Sequence, residues 1–205
     1  MTGMLTRYER LVAAGELRSD PDQRRAAERL DRLQKDLEAE SSGGLLSQLF
    51  RARKANPQGV YMWGGVGRGK SMLMDLFVET LGIDEKRRAH FHEFMLEVDR
   101  RIRARRESDP GDPTGKVARD IAQDVRCLAF DEMVVNNTAD AAIMARLFTA
   151  LIRDQGVTIV TTSNRPPRDL YKDGLNRSLF LPFIDLIEAD LDVVSLNGPT
   201  DYRMD

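Results

Sequence analysis

The chain has 205 residues, 41% of them hydrophobic and 31% charged, with a formal net charge of −2 and one cysteine. That length suits one core-forming domain with an extension. The near-neutral balance gives no global attraction for nucleic acid, and a lone thiol excludes an internal disulfide framework and suits a reducing cytosol.

No apolar run approaches the roughly 20 residues of a membrane span. Met1 to Arg10 lacks a signal-peptide apolar core, and Glu9, Glu16 and Asp20 argue against a mitochondrial presequence. Residues 4–40 predict two helices. Leu5, Tyr8, Leu11 and Val12 form the apolar face of the first, and Gly15 to Pro21 breaks it. Asp20 is an N-cap candidate with Pro21 at the first helical position. Ala26, Leu30, Leu33 and Leu37 then recur at helical spacing. Ser41-Ser42-Gly43-Gly44 reads as a break, and residues 45–54 as a short helix. The expected division is an N-terminal helical extension over 1–55 and a core over 56–205.

From Asn56 onward the pattern alternates. Expected strands are Val60–Trp63, Arg88–His92, Val125–Phe130, Val157–Thr162 and Asp192–Leu196. Expected helices lie near 70–81, 95–106, 140–155 and 179–189. Such alternation implies an α/β fold in three layers, a five-stranded parallel sheet with helices on both faces. Residues 107–116 read as a turn-rich loop.

The strongest motif is Gly64-Gly65-Val66-Gly67-Arg68-Gly69-Lys70-Ser71, which fits the phosphate-binding P-loop. A strand runs in and a helix starting with Met72 runs out. Backbone N–H groups from Gly64 to Met72 are the candidate cradle for phosphate oxygens, aided by the positive helix end. Lys70 is placed to reach the β/γ-phosphates and Ser71 to hold Mg²⁺. Cys127-Leu128-Ala129-Phe130-Asp131-Glu132 is an apolar strand ending in two acids, the Walker B pattern. Asp131 would organise the Mg²⁺ shell and Glu132 would orient the attacking water. Cys127 itself reads as a buried thiol.

A third β-branched strand ends at Asn164; in P-loop ATPases with a catalytic glutamate such a strand lies between the other two and its terminal polar residue senses the γ-phosphate, which is the role this likeness implies for Asn164. Arg177 precedes an amphipathic helix. It reads either as an arginine finger for a neighbouring subunit, worth about 10³–10⁵ in rate, or as an ordinary helix-start arginine. Weaker signals are the strand-sharing pair His90 and His92 as a metal candidate, the basic run Arg100–Arg106 as a binding face, and Asp20 or Gln23 as adenine contacts.

These four elements resemble the AAA+ superfamily of P-loop NTPases. The text around them is similar to one branch, the family of the bacterial cell-division ATPase ZapE and its mitochondrial Afg-one-like relatives. The carrying segments are Pro57 to Asp75, Phe91 to Met95, Ala139 to Ile143, Thr162 to Tyr171 and Gly174 to Arg177, with Tyr8, Gly15, Leu17, Asp20 and Gln23 agreeing near the start. The resemblance implies an ATPase using ATP and Mg²⁺ that remodels or recruits a protein partner, such as the tubulin-like FtsZ or an inner-membrane protein. It implies a cytoplasmic location, peripheral at the inner membrane or division site, and assembly into homo-oligomers. Two departures stand out. Met133 to Thr138 replaces an expected Phe-Gln-Val-Thr-Asp-Ile. The chain stops at Asp201-Tyr202-Arg203-Met204-Asp205, where relatives continue into a helical lid, so the lid is expected to be absent. Two other readings stay open: a nucleotide-dependent binding module with little turnover, and a DNA-acting ATPase related to replication initiators.

Overall fold

A computed structural model describes residues 3–41, 56–108, 111–135 and 138–198. Helix α1 (Met4–Ala13) turns into α2 (Pro21–Ser41). The Asp20 carboxylate accepts from the N–H groups of Asp22 at 2.7 Å and Gln23 at 3.1 Å, so the expected N-cap is in place. Strand β1 (Gly59–Trp63) feeds the P-loop and α3 (Lys70–Thr80). Strand β2 (Lys86–His90) passes directly into α4 (Phe91–Ser108), followed by α5 (Pro113–Asp124). Strand β3 (Cys127–Asp131) precedes α6 (Thr138–Thr149), which closes in one π-helical turn over Ala150–Asp154. Strand β4 (Thr158–Ser163) leads through short 3₁₀ turns to α7 (Leu181–Asp190) and β5 (Leu191–Ser195).

The five strands form one parallel sheet in the order β2-β3-β4-β1-β5. Side chains alternate across it. Val60, Met62, Cys127 and Ala129 face a core shared with α1, α2 and α3, while Tyr61, Leu128 and Phe130 face a second core under α4 to α7. In that second core, Phe130 sits among Phe94, Phe91 and Phe148 at ring separations of 4.8, 5.5 and 5.8 Å, edge-on to each. Arg29 of α2 ties the first layer to the sheet, donating to Asp192 at 2.7 Å and to the Gln58 carbonyl at 2.6 Å.

Two expectations need correction, and the basic run on α4 gains structural detail. His90 ends β2, while His92 lies in the first turn of α4, so the two histidines do not share a strand face. The expected loop over 107–116 contains the start of α5, with Asp112 capping the N–H of Thr114 at 3.2 Å and Pro113 opening the helix. The basic run on α4 is largely neutralised: Arg101 pairs with Glu97 and Arg103 with Asp99 one turn back, and Arg105 with Asp120 of α5. The expected helix over 45–54 and the final Asp201 to Asp205 lie outside the described residues.

Candidate active site

The C-terminal ends of β1, β3 and β4 lie side by side because β4 is the middle strand of the three. In an open parallel sheet, this edge is where ligands bind. The P-loop leaves β1 here, with Gly67 and Gly69 in the left-handed region at φ 81° and 84°. A side chain would strain both turns. Gly69 is the N-cap of α3 and has no side chain to occupy the first amides of that helix. Those amides and the helix dipole make an anion cradle.

Lys70 is buried and its Nζ is fully engaged. It donates to the Gly64 carbonyl at 2.6 Å, to the Gly65 carbonyl at 2.8 Å and to Asn164 Oδ1 at 2.9 Å. Burial pulls its pKa down, opposed by the negative charge of Glu132. The ammonium is therefore held at the meeting point of three strands, in an environment that an incoming phosphate would relieve.

Glu132 sits just past β3 with φ 52°, a left-handed backbone rare for a non-glycine residue. Hydrogen bonds to the end of β4 hold this turn. The Glu132 N–H donates to Thr162 Oγ1 at 3.1 Å, the Met133 N–H to the Thr162 carbonyl at 2.8 Å, and Ser163 Oγ to the Met133 carbonyl at 3.2 Å. The acid and Asn164 are thus positioned by one shared strand end. Asp131 is buried, and both of its carboxylate oxygens accept from Arg88 of β2: Nε to Oδ2 at 2.7 Å and Nη2 to Oδ1 at 3.1 Å. Arg88 also binds Asp75 of α3 through Nη1.

Ser71 is exposed one residue beyond Lys70. Its hydroxyl with the Asp131 carboxylate is a hard oxygen set of the kind Mg²⁺ takes together with substrate phosphates. No group of three or more His, Cys, Asp or Glu side chains suited to a metal converges among the described residues.

Arg177 stands apart from this centre. It opens the 3₁₀ turn Arg177–Leu179 after Asn176, which takes the left-handed conformation at φ 55°. Its Nη2 donates to the Arg168 carbonyl at 2.5 Å. Its Nε and Gln23 Oε1 are the buried side-chain polar atoms without a hydrogen-bond partner among the described residues. Asp20 caps α2, and Gln23 Nε2 donates to the Arg68 carbonyl of the P-loop at 3.3 Å.

Set beside known proteins, this arrangement has a clear kin group. A sequence model of the AFG1-like ATPase family matches residues 2–205. The chain belongs to the AFG1-like ATPase family. It is 36% identical over 211 residues to the cell division protein ZapE of Escherichia coli K12, covering 97% of this chain and 56% of that protein. It is 35% identical to lactation elevated protein 1 homolog B of Danio rerio, covering 98% of this chain and 50% of that one. The chain therefore spans about half the length of these curated relatives. Among solved structures, AMPPCP-bound DnaA from Aquifex aeolicus superposes with a TM-score of 0.56 at 15% identity, over 88% of this chain and 48% of that one. DnaI gives 0.56 at 14%, over 87% of each. At such identities the likeness is one of fold, and it supports the three-layer AAA+ type P-loop architecture.

Within this family member, the structure brings Lys70, Asn164 and Glu132 to one sheet edge and places Asp131 beside them. It leaves Arg177 outside that group. Three contributors escaped the sequence reading. Arg88 holds Asp131, and Asp75 holds Arg88. Asn197, just after β5, accepts from the Gly65 N–H at 2.8 Å. Asp75 closes the segment Pro57 to Asp75 and Arg88 opens the expected strand Arg88–His92, but neither place gives the residue a role at the site, and Asn197 lies in no motif.

No helix among the described residues is long and apolar enough to cross a membrane.

Proposed function

We propose that this chain binds MgATP and hydrolyses it, and that turnover drives the remodelling or recruitment of a protein partner. The observation that carries the reading is the Lys70 ammonium, 2.9 Å from Asn164 and under the charge of Glu132, at the mouth of the P-loop. Lys70 and the loop amides from Val66 to Met72 bind the phosphates, while the Gly64 and Gly65 N–H groups donate to the Ser163 carbonyl and Asn197. Ser71 and Asp131 hold Mg²⁺, which neutralises charge on the phosphate oxygens. Glu132 accepts a hydrogen bond from the attacking water, and Asn164 orients that water and senses the γ-phosphate. Lys70 donates to the Gly64 and Gly65 carbonyls, and a bound nucleotide would exchange such bonds for phosphate oxygens. Residues 56–205 form the nucleotide core, and 1–55 act as its extension, a division supported by Gln23 resting on the P-loop.

Arg177 completes the site of a neighbouring copy. Support comes from its place outside the Lys70 centre, on a turn flanked by the exposed Leu175 and Leu179. The partner is a cell-division protein, as the name of the Escherichia coli relative suggests, with FtsZ or an inner-membrane protein as candidates. The place of action is the cytoplasm, peripheral to the membrane. The paired state of the α4 arginines disfavours a DNA-acting role.

Steady-state MgATP hydrolysis across protein concentration, with Lys70→Ala and Glu132→Gln as controls, tests this. Specific activity that rises with concentration, and is lost in both variants, supports an assembling ATPase. Glu132→Gln should retain nucleotide while losing about 10²–10⁴ in turnover. Normal hydrolysis by that variant would remove Glu132 from its role. Nucleotide binding with no hydrolysis by the wild type would select the binding-module reading.

A further inference from the structure

Arg88 touches one proposed metal ligand, Asp131, and also Asp75 on the helix that carries the other, Ser71. Asp75 lies one helical turn after Ser71 on α3, so the two residues share a face. Asp131 ends β3. Arg88 is paired in register with Ala129, two residues before Asp131, so its side chain lies on the sheet face that Asp131 uses. Its Nε and Nη2 fork the two oxygens of Asp131, and its Nη1 reaches Asp75. A bidentate guanidinium fork fixes the plane and rotamer of a carboxylate. Each carboxylate oxygen has two lone pairs and gives one to Arg88, so each keeps one for a metal-bound water. Arg88 thus orients Asp131 without closing it.

We infer that Arg88 is a positioning residue for the metal site: it fixes the Asp131 carboxylate and, through Asp75, locks that carboxylate to the helix bearing Ser71. Lysine cannot replace it, because an ammonium supplies the charge but not the fork. The inference rests on the MgATP reading above and names the device that sets metal affinity within it.

The test is binding of a fluorescent ATP analogue to the full chain, with Mg²⁺ titrated in and with EDTA, for wild type, Arg88→Ala, Arg88→Lys and Asp75→Asn. Circular dichroism checks each fold. In Arg88→Ala the Mg²⁺ concentration at half-effect should rise about tenfold, while affinity in EDTA stays within about twofold. Arg88→Lys should recover only part of that shift, and Asp75→Asn should show about a threefold shift. An unchanged Mg²⁺ midpoint in Arg88→Ala overturns the inference. So does a lower midpoint, which would make Arg88 a competitor of the metal. A parallel loss of affinity in EDTA overturns it too, because that marks a merely structural ion pair. If Arg88→Ala does not fold, wild-type midpoints in both Arg88→Lys and Asp75→Asn overturn it. If the wild type binds nucleotide with no response to Mg²⁺, the MgATP reading itself fails, and that outcome is distinct from a wild-type response that the variants leave intact.

Discussion

The P-loop edge and the Arg177 turn are built on opposite plans. At the P-loop edge Lys70 and Asp131 are answered from within the chain: Lys70 by two carbonyls and Asn164, Asp131 by Arg88. Around Arg177 the side chains face outward, with Leu175 73% and Leu179 50% exposed, and the arginine makes one bond to a backbone carbonyl. Burial with saturated hydrogen bonding fixes geometry before a ligand arrives. An exposed apolar rim beside an under-satisfied cation is the composition of an interface. On the proposed reading, the first region would bind nucleotide alone, whereas the second would act against another surface.

The sharpest break of that contrast is Arg177→Ala. Turnover should fall about 10³-fold or more, the scale of a lost arginine finger, while nucleotide affinity changes little. Mixing this variant with Lys70→Ala should restore part of the activity, since each supplies what the other lacks. A variant that loses nucleotide affinity as much as turnover would place Arg177 in its own site and erase the distinction between the two regions.

Thr162→Val probes the self-contained region with a smaller effect. The hydroxyl accepts the N–H of Glu132, whose backbone is strained at φ 52°. Valine keeps the volume and leaves that donor without its acceptor, at a cost of about 1–3 kcal/mol. If the strained turn relaxes, Glu132 leaves its station and turnover should drop about 10–100-fold, the same energy expressed in the barrier. ATP affinity should hold. Unchanged turnover would show that the turn is fixed by the Met133 and Ser163 bonds instead.

What could be read before the structure follows the same divide between local and distant causes. The P-loop and the Asp131-Glu132 strand were legible because their chemistry is written in consecutive residues. The edge strand β2 was drawn two residues late because Lys86-Arg87-Arg88 carries no apolar alternation, while Phe91, Phe94 and Met95 supply it to the helix that follows. Helix α5 went unread although Asp112-Pro113 repeats the Asp20-Pro21 start; Gly111 and Gly115 around it spoke more strongly for a loop. The Arg88–Asp131 fork joins residues 43 apart and the Asn197–Gly65 bond residues 132 apart, separations at which spacing carries no signal.

Strand β3 delivers Asp131 and Glu132 from a dry interior, and Cys127 reports on that dryness. Burial pushes its thiol up to about 12 from an ordinary 9.0, with Arg126 and Lys86 opposing weakly. The raised value means that the folded chain keeps the proton where the unfolded chain gives it up. The stabilising contribution is therefore whole below about pH 9 and is lost progressively as pH rises toward 12, by up to about 1.4 kcal/mol per pH unit. The gap between the urea midpoints of wild type and Cys127→Ala, measured from pH 7 to pH 10, should stay constant at first and move against the wild type only in the upper part of that range. Parallel curves would mean that the thiol is hydrated. Thiol reagents should label the folded wild type slowly for the same reason.

The smallest effect belongs to Asp20, where the N-terminal layer meets the P-loop. Its carboxylate caps α2 through the N–H groups of Asp22 and Gln23, and the Gln23 side chain in turn donates to the Arg68 carbonyl. Asp20→Ala should cost about 1 kcal/mol, which for a chain of this size lowers Tm by about 2–4 °C. If the helix start only packs against the core, nucleotide affinity will be unchanged. If α2 holds the P-loop in register, the frayed first turn will release Gln23 from Arg68 and nucleotide will bind measurably more weakly, with Asp20→Asn restoring both the melting point and the affinity, since Asn caps about as well as Asp. A rescue of Tm without a rescue of affinity would separate the cap from the loop, and would return the P-loop edge to a site that is complete without its N-terminal layer.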